Sequence, residues 1–232
     1  QVLVRGLGTR YVLVGDDFRF GARRAGDYAM LDAAGAVHGF DVARMMSYEV
    51  HGERVSSSAV RAALAAGDMR QTEALLGRPY SISGHVIAGA RLGRELGASR
   101  PGAEDGFRTL NVRFPHPKPA AMGIFVVRVH GLAPHALAGV ASLGRRPTVD
   151  QSGRVLLETH VFDWPENLGP EGGYGKLVRV ELLEKLRDEA RYDSLAALAT
   201  AIRQDSVDAR AWLAAHASTW AATGRQTTRD RI

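Results

Sequence analysis

Six short β-prone segments follow one another between residues 80 and 184, and this run constrains the fold more than any other feature of the chain. Glycine- and proline-rich turns separate the segments, and no helical periodicity lies between them. Consecutive strands of this kind usually close into an antiparallel barrel, which leaves no exposed strand edge. The sequence therefore predicts a barrel built from strands at 80–88, 110–114, 123–130, 138–143, 154–163 and 175–184.

The periodicity changes after Ser194, where apolar residues recur at the spacing of one helical face. The predicted apolar face contains Leu195, Leu198, Ala199, Ile202, Ala209, Trp212 and Leu213. We expect this helix, or a broken pair of helices, to pack against the barrel. Residues 217–232 are polar, and we expect them to form a solvated tail.

The region before the barrel has a different pattern, typical of an α/β module. Residues 11–14 form a short β-prone run that ends in Gly15-Asp16-Asp17, as a buried parallel strand does when it delivers a loop. A helix over 25–35 and a strand within 41–50 are weaker predictions. Two further helices, closed by Gly67 and by Gly77, are interpreted as a bridge between modules. We therefore predict domains at 1–76 and 77–216.

Composition narrows the classes of function. The 232 residues include no cysteine, which excludes disulfides, thiolate metal sites and cysteine nucleophiles. No apolar run is long enough to span a membrane, so we expect a cytoplasmic protein with no membrane partner. The net charge of +5 suits either nucleic acid or phosphorylated ligands.

Glycines recur every four residues after the strand predicted at 80–88. Gly89, Gly93 and Gly97, with Arg91 between the first two, could wrap a phosphate group, because glycine backbone bends freely. The alternative is a plain hairpin turn, which is also commonly rich in glycine.

Thr109 and Asn111 lie two residues apart on a predicted strand, so their side chains should point to the same face. A hydroxyl and a carboxamide offer two neutral oxygen ligands. Mg²⁺ prefers oxygen ligands and takes much of its shell from water and nucleotide phosphates. The alternative is a Thr–Asn pair that decorates a turn.

Glu158 is the candidate general base. In an extended strand it shares one face with Leu156, His160 and Phe162, and apolar or aromatic neighbours can raise the pKa of a carboxylate. The alternative is an ordinary outward-facing glutamate beside a partly exposed histidine.

Several motifs resemble one known family. Gly144-Arg-Arg-Pro-Thr148, Leu157-Glu158-Thr-His160-Val-Phe-Asp163 and Leu186-Arg-Asp-Glu189 resemble the riboflavin kinase module of bacterial bifunctional riboflavin kinase/FAD synthetases. Residues 14–21 and 56–61 resemble the adenylyltransferase module of the same enzymes. The motifs occur in the family's order and together cover nearly the whole chain to about residue 216.

The resemblance implies a six-stranded Greek-key barrel that transfers phosphate from ATP to riboflavin, giving FMN and ADP. Thr109 and Asn111 would hold Mg²⁺ with ATP, and Glu158 would deprotonate the ribityl hydroxyl. Arg187 and Asp188 lie where the family has a flavin-side loop; the alternative for them is an exposed ion pair at the end of a helix. The family's sequence here is interrupted by an insertion at 98–106, which could loop out or act as a lid near ATP.

The first module would be a partial nucleotidyltransferase. Six of its residues correspond to positions that contact flavin or nucleotide in the family. They are Gly15, Asp17 and Phe18 in the first motif, and Ser57, Ser58 and Arg61 in the second. The family's early His-x-Gly-His motif does not occur in the chain. We therefore expect kinase activity with little or no conversion of FMN to FAD, and a longer parent chain would perform both steps.

Two alternatives remain open at this point. FMN adenylylation could be the main activity, with the barrel supplying FMN. A non-catalytic basic barrel could instead bind RNA, but aromatic residues make up only 7% of the chain and do not cluster with its arginines, so we expect no nucleic-acid partner. Open strand edges in the first module could favour self-association.

Overall fold

A computed structural model describes residues 2–88, 109–114, 118–145, 155–169 and 172–217. The chain forms two compact units, residues 1–56 and 57–232. Each unit has its own core and is described separately.

The first unit is a small α/β module. A π-helical turn, Val2–Gly6, precedes β1 (Tyr11–Gly15), a short 3₁₀ turn (Ala22–Arg24), α1 (Tyr28–His38) and β2 (Asp41–Met45). Strands β1 and β2 pair in parallel, and Val14, Leu31 and Phe40 form the buried centre of the unit. Asp27 begins α1 by accepting a hydrogen bond from the Met30 amide, and left-handed Gly39 ends it.

The predicted parallel strand is confirmed, but only Val14 in it is buried, because β1 pairs with a single neighbouring strand among the described residues. The predicted helix begins and ends three residues later than expected. After β2 the chain forms a small hairpin rather than one long strand, with β3 (Glu49–Val50) pairing with β4 (Glu53–Arg54). His51 and Gly52 both have positive φ, as a tight two-residue hairpin turn requires.

The second unit contains the predicted barrel. Its strands are β5 (Tyr80–Ile87), β6 (Thr109–Arg113), β7 (Gly123–His130), β8 (Leu137–Arg145), β9 (Val155–Val161) and β10 (Leu177–Arg187). They close in the order β10-β5-β6-β9-β8-β7, and every pairing is antiparallel. Strands β7, β8 and β9 follow one another as neighbours, and β10 returns to lie beside β7, which is a Greek-key arrangement.

Alternation along each strand fills the barrel with apolar side chains. Val112 on β6, Phe125 on β7, Leu143 on β8 and Leu157 on β9 are fully buried in the same core cluster. The residues between them point to the outer face of the barrel. This alternation decides which polar side chains are available for a site.

Helices α2 (Ser57–Ala66) and α3 (Met69–Leu76) belong to the second unit, whereas the sequence assigned them to the first module. Leu64 and Met69 pack into the barrel's core cluster, which explains the difference. Asp68 begins α3 by accepting a hydrogen bond from the Gln71 amide at 2.8 Å, and Gly77 ends the helix in the left-handed conformation.

Helix α4 (Leu195–Ala215) packs on the outer face of the barrel. Ala209, Trp212 and Leu213 contact a second apolar cluster formed by Ile124, Val126, Val140 and Phe162. Leu195 is exposed, contrary to its predicted place on the apolar face, and the helix also buries a charged residue, Asp205. Over the described ranges, no helix has both the length and the apolar character needed to cross a bilayer.

Candidate active site

A row of polar side chains crosses three strands on the outer face of the barrel. Asn111 on β6 lies directly opposite Glu158 on β9, and Glu158 lies directly opposite Ser142 on β8. Residues opposite each other in an antiparallel pair point to the same face, with Cβ atoms about 5 Å apart. The fold therefore brings together a carboxamide, a carboxylate and a hydroxyl that are far apart in sequence.

Thr109 lies one step along the same face, opposite His160. Thr109 is exposed, whereas Asn111 is only 5% exposed, and its Oδ1 has no hydrogen-bond partner among the described residues. A buried amide oxygen without a partner is costly, so this atom is suited to a cation or a donor from a bound ligand.

Oxygen donors of this kind fit Mg²⁺, which needs few protein ligands when phosphates supply the others. Across the part of the chain that the structure describes, there is no group of three His, Asp or Glu residues able to hold a metal ion by themselves. A site made from neutral oxygens therefore depends on the nucleotide to complete it.

Glu158 is half-buried, and its Oε1 is inaccessible to solvent. Leu156 and His160 flank it along the strand as the sequence predicted, and the His160 ring meets Phe162 edge-on at 5.5 Å. Its neighbours across the strands, however, are the polar Asn111 and Ser142. The predicted apolar surroundings of Glu158 are therefore present along β9 but not across the neighbouring strands. The sequence could not predict the cross-strand neighbours, because alternation along one strand gives no information about how strands pair.

The row continues through Ile124 on β7 to Arg187 at the end of β10. Arg187 makes a bidentate ion pair with Asp205 of α4, and both of its N–H···O distances are 2.7 Å. The hydrogen bond to Asp205 is the main reason that the pKa of Arg187 is raised above its ordinary value. The guanidinium thus ties α4 to the barrel, and flavin binding by Arg187 stays a prediction.

Asp188, the other predicted flavin-side residue, is 85% exposed and pairs with Lys185 at 2.6 Å. That hydrogen bond from Lys185 holds the pKa of Asp188 below its ordinary value. Nothing bound to Asp188 is needed to explain its position.

Glu189 was not singled out by the sequence analysis, yet its carboxylate lies on the outer face of β8. Ser142 Oγ is 3.5 Å from Glu189 Oε1, and Gly144 leaves the space that the carboxylate fills. The available sequence signal was Gly144 itself, because a glycine within a strand often marks a close approach by another group.

A second charged cluster lies elsewhere on the outer face, on β7 and β10. Glu181 is 7% exposed and lies within 3.6 Å of Arg128, 3.2 Å of His130 and 3.2 Å of Arg179. Burial alone would raise the pKa of Glu181, but the hydrogen bond and charge of His130 and the two arginines outweigh burial and lower it. We interpret this cluster as structural.

The predicted adenylyltransferase residues are divided between the two units. Gly15 ends β1, and Asp17 lies 3.4 Å from Arg54, while Phe18 stacks on Phe20 with ring centroids 5.5 Å apart. Neighbouring Asp16 accepts a hydrogen bond from Ser47, the main cause of its lowered pKa.

Ser57, Ser58 and Arg61 lie on an exposed part of α2 in the second unit, where the Arg61 guanidinium donates to Ser57 Oγ at 3.3 Å. The predicted roles of all six residues stay predictions. The predicted phosphate loop, with Gly89, Arg91, Gly93 and Gly97, and the insertion at 98–106 lie outside the described residues.

Comparisons with known proteins give matches to both units. Residues 76–213 match the family model for riboflavin kinase, and residues 1–59 match that for FAD synthetase. A bifunctional riboflavin kinase/FMN adenylyltransferase from Haemophilus influenzae is 38% identical over 91% of this chain, and one from Pseudomonas fluorescens is 41% identical over 91%. The chain spans 64% and 63% of the lengths of these two relatives.

A solved structure described as a macrolide-efflux protein from Streptococcus pneumoniae has a TM-score of 0.59 and 25% sequence identity. The match covers 84% of this chain and 58% of that one. The riboflavin kinase model alone covers more than half of the chain and contains the whole row from Asn111 to Arg187. This chain belongs to the riboflavin kinase family.

Proposed function

We propose that the barrel phosphorylates riboflavin with ATP, giving FMN and ADP. The observation that carries the proposal is the register of β6 against β9, which sets Asn111 directly opposite Glu158 on the outer face. This register supports the proposal, because transfer of a phosphoryl group to an alcohol needs a base near the nucleotide-bound cation, and Asn111 and Glu158 are candidates for these two roles.

Glu158 would act as the general base. Its carboxylate accepts the proton of the primary hydroxyl of the ribityl chain as that oxygen forms a bond to the γ-phosphorus of ATP. The bond from the γ-phosphorus to the bridging oxygen breaks, and ADP leaves. Glu158 Oε1 is shielded from solvent, so bulk water has little access to the oxygen that would accept the proton.

Mg²⁺ fits the neutral oxygens on β6, and Thr109 and Asn111 would hold it. Bound there, it supplies positive charge that offsets the charge of the phosphates. The buried Asn111 carboxamide contributes a fixed oxygen, while exposed Thr109 remains accessible to a ligand.

The named relatives are bifunctional, with an adenylyltransferase activity as well as the kinase. For this chain, formation of FAD is a separate question, and we keep the prediction that it is absent or weak. A cytoplasmic location and the absence of a nucleic-acid partner likewise stay predictions.

The test is to incubate the purified chain with riboflavin, ATP and Mg²⁺ and to separate the flavins by chromatography. We expect FMN without FAD. Formation of FAD as well would show that the chain also adenylylates FMN. No FMN from protein that circular dichroism shows to be folded would contradict the proposed function.

A further inference from the structure

The Glu189 carboxylate occupies the space that a side chain at Gly144 on β8 would need. A Cβ at this position would lie 1.6 Å from Glu189 Oε1 and 2.1 Å from Glu189 Oε2. Atoms cannot approach so closely, so any larger residue at 144 must displace the carboxylate. The Glu189 carboxylate therefore lies against the outer face of the barrel, although the residue as a whole is exposed.

The carboxylate lies beside the row of site residues. Ser142, two residues before Gly144 and on the same face, is 3.5 Å from Glu189 Oε1 and directly opposite Glu158. Asn111 is opposite Glu158 on the other side. Glu158 thus has Asn111 on one side, on β6, and Ser142 with the Glu189 carboxylate on the other side, on β8.

The chain before Glu189 is held in place by α4. Arg187 pairs with Asp205 through two hydrogen bonds and also donates to the Asp188 carbonyl at 3.0 Å. Lys185 fixes the Asp188 side chain. A carboxylate at the end of such an anchored segment is suited to orienting a ligand, since little freedom is lost when the ligand binds.

We propose that Glu189 and Ser142 bind the hydroxyl groups of the acceptor's polyol chain, next to the hydroxyl that reacts. This inference rests on the proposed kinase function. The base must contact the attacking hydroxyl while the phosphates of ATP lie on the Asn111 side, so the acceptor enters from the Ser142 side.

Charge supports this division of the site. The Glu189 carboxylate repels a triphosphate, whereas it accepts hydrogen bonds from neutral hydroxyls. Ser142 can both donate and accept, which matches an alcohol partner. The subsite therefore selects a flavin with a hydroxylated chain, and Glu189 acts by positioning the acceptor.

The first test measures riboflavin binding by fluorescence quenching, without turnover. Glu189→Ala should weaken binding by about 10- to 100-fold, the scale of a lost hydrogen bond to a charged group. Gly144→Ala should weaken it similarly, because the new methyl group displaces the carboxylate. Adding Gly144→Ala to Glu189→Ala should cause little further loss, since the space is then free.

Glu166→Gln is the matched control, because Glu166 is an exposed glutamate outside the row, and it should bind riboflavin as the wild type does. In steady-state kinetics, the KM for riboflavin should rise in Glu189→Ala while the KM for ATP changes less than about twofold. A riboflavin analogue that lacks the ribityl hydroxyl bound by Glu189 should bind the wild type more weakly than riboflavin does. Glu189→Ala should bind this analogue and riboflavin with equal affinity.

Two outcomes overturn the inference. One is unchanged riboflavin affinity in both single variants; the other is an equal loss for ATP and riboflavin together with a lower melting temperature, which would give Glu189 a purely structural role. Both are distinct from failure of the proposed function, in which the wild-type chain forms no FMN at all.

Discussion

At the scale of single residues, the site depends on which side chains a strand register makes adjacent. Thr109 and Asn111 share a face because they are two residues apart, and that much follows from the sequence. The pairing of Asn111 with Glu158 does not, because these residues lie on strands that meet only when the barrel closes. The sequence therefore predicts the chemical groups, and the fold determines their arrangement.

Asn111 provides a test of the proposed cation site. We expect Asn111→Ala to weaken binding of ATP with Mg²⁺ by about tenfold or more, because the buried oxygen is removed. Isothermal titration with a non-hydrolysable ATP analogue measures this effect, and the same variant should change binding little when EDTA is present.

Asn167→Ala is the control, since Asn167 is an exposed asparagine in the 3₁₀ turn of residues 166–168. An equal loss of affinity with and without Mg²⁺ would contradict a metal-binding role for Asn111.

At the scale of elements, helix α4 is attached to the barrel by both apolar packing and one ion pair. The apolar face is mostly predictable from its periodicity, with Leu195 as the exception. Asp205 was not predicted, because its partner Arg187 is 18 residues earlier and on another element. A buried charge has no periodic signature, so only the fold identifies the pair.

Asp205→Asn should therefore destabilise the protein by about 2–3 kcal/mol, because removing one partner leaves Arg187 without its countercharge. Urea unfolding followed by circular dichroism measures the free energy of unfolding. Asp208→Asn changes an exposed carboxylate on the same helix, and we expect it to have little effect. Equal stability of the two variants would mean that packing alone holds α4.

Strands β7 and β10 carry a pH-dependent contribution through Glu181. Because its pKa is lowered in the folded state, its contribution is fully present above the ordinary value of 4.5 and is lost as the pH falls through the folded value. We expect Glu181→Gln to lower the free energy of unfolding by about 2–3 kcal/mol at neutral pH.

The difference between Glu181→Gln and wild type should shrink as the pH falls below about 4.5. Thermal unfolding at a series of pH values measures it, with Glu166→Gln as the exposed control. A difference that stays constant from pH 7 to pH 3 would show that the Glu181 charge contributes nothing to stability.

At the scale of the whole molecule, the barrel was predictable and the assignment of the connecting helices was less so. All six strands lie within three residues of their predicted ends, because glycine and proline turns mark them in the sequence. The apolar sides of α2 and α3 were also visible. Periodicity shows that a helix has an apolar face, but it does not show which core that face joins, and Leu64 and Met69 join the barrel.

The same reasoning applies to Glu189. A strand glycine at position 144 signals that some group approaches closely, but the identity of that group depends on how β10 and the following residues pass β8. The motifs therefore indicated the candidate kinase site, whereas the proposed acceptor side of the site required the three-dimensional arrangement.

We propose above that the row from Asn111 to Ser142, with Glu158 at its centre, is where a phosphoryl group is transferred to riboflavin. The most direct measurement is the rate of FMN formation by Glu158→Gln beside that of Glu166→Gln and the wild type, all at saturating ATP, Mg²⁺ and riboflavin. We expect Glu158→Gln to reduce kcat by about 10²- to 10⁴-fold with its melting temperature retained, and Glu166→Gln to match the wild type. A Glu158→Gln variant with wild-type kcat would contradict the claim.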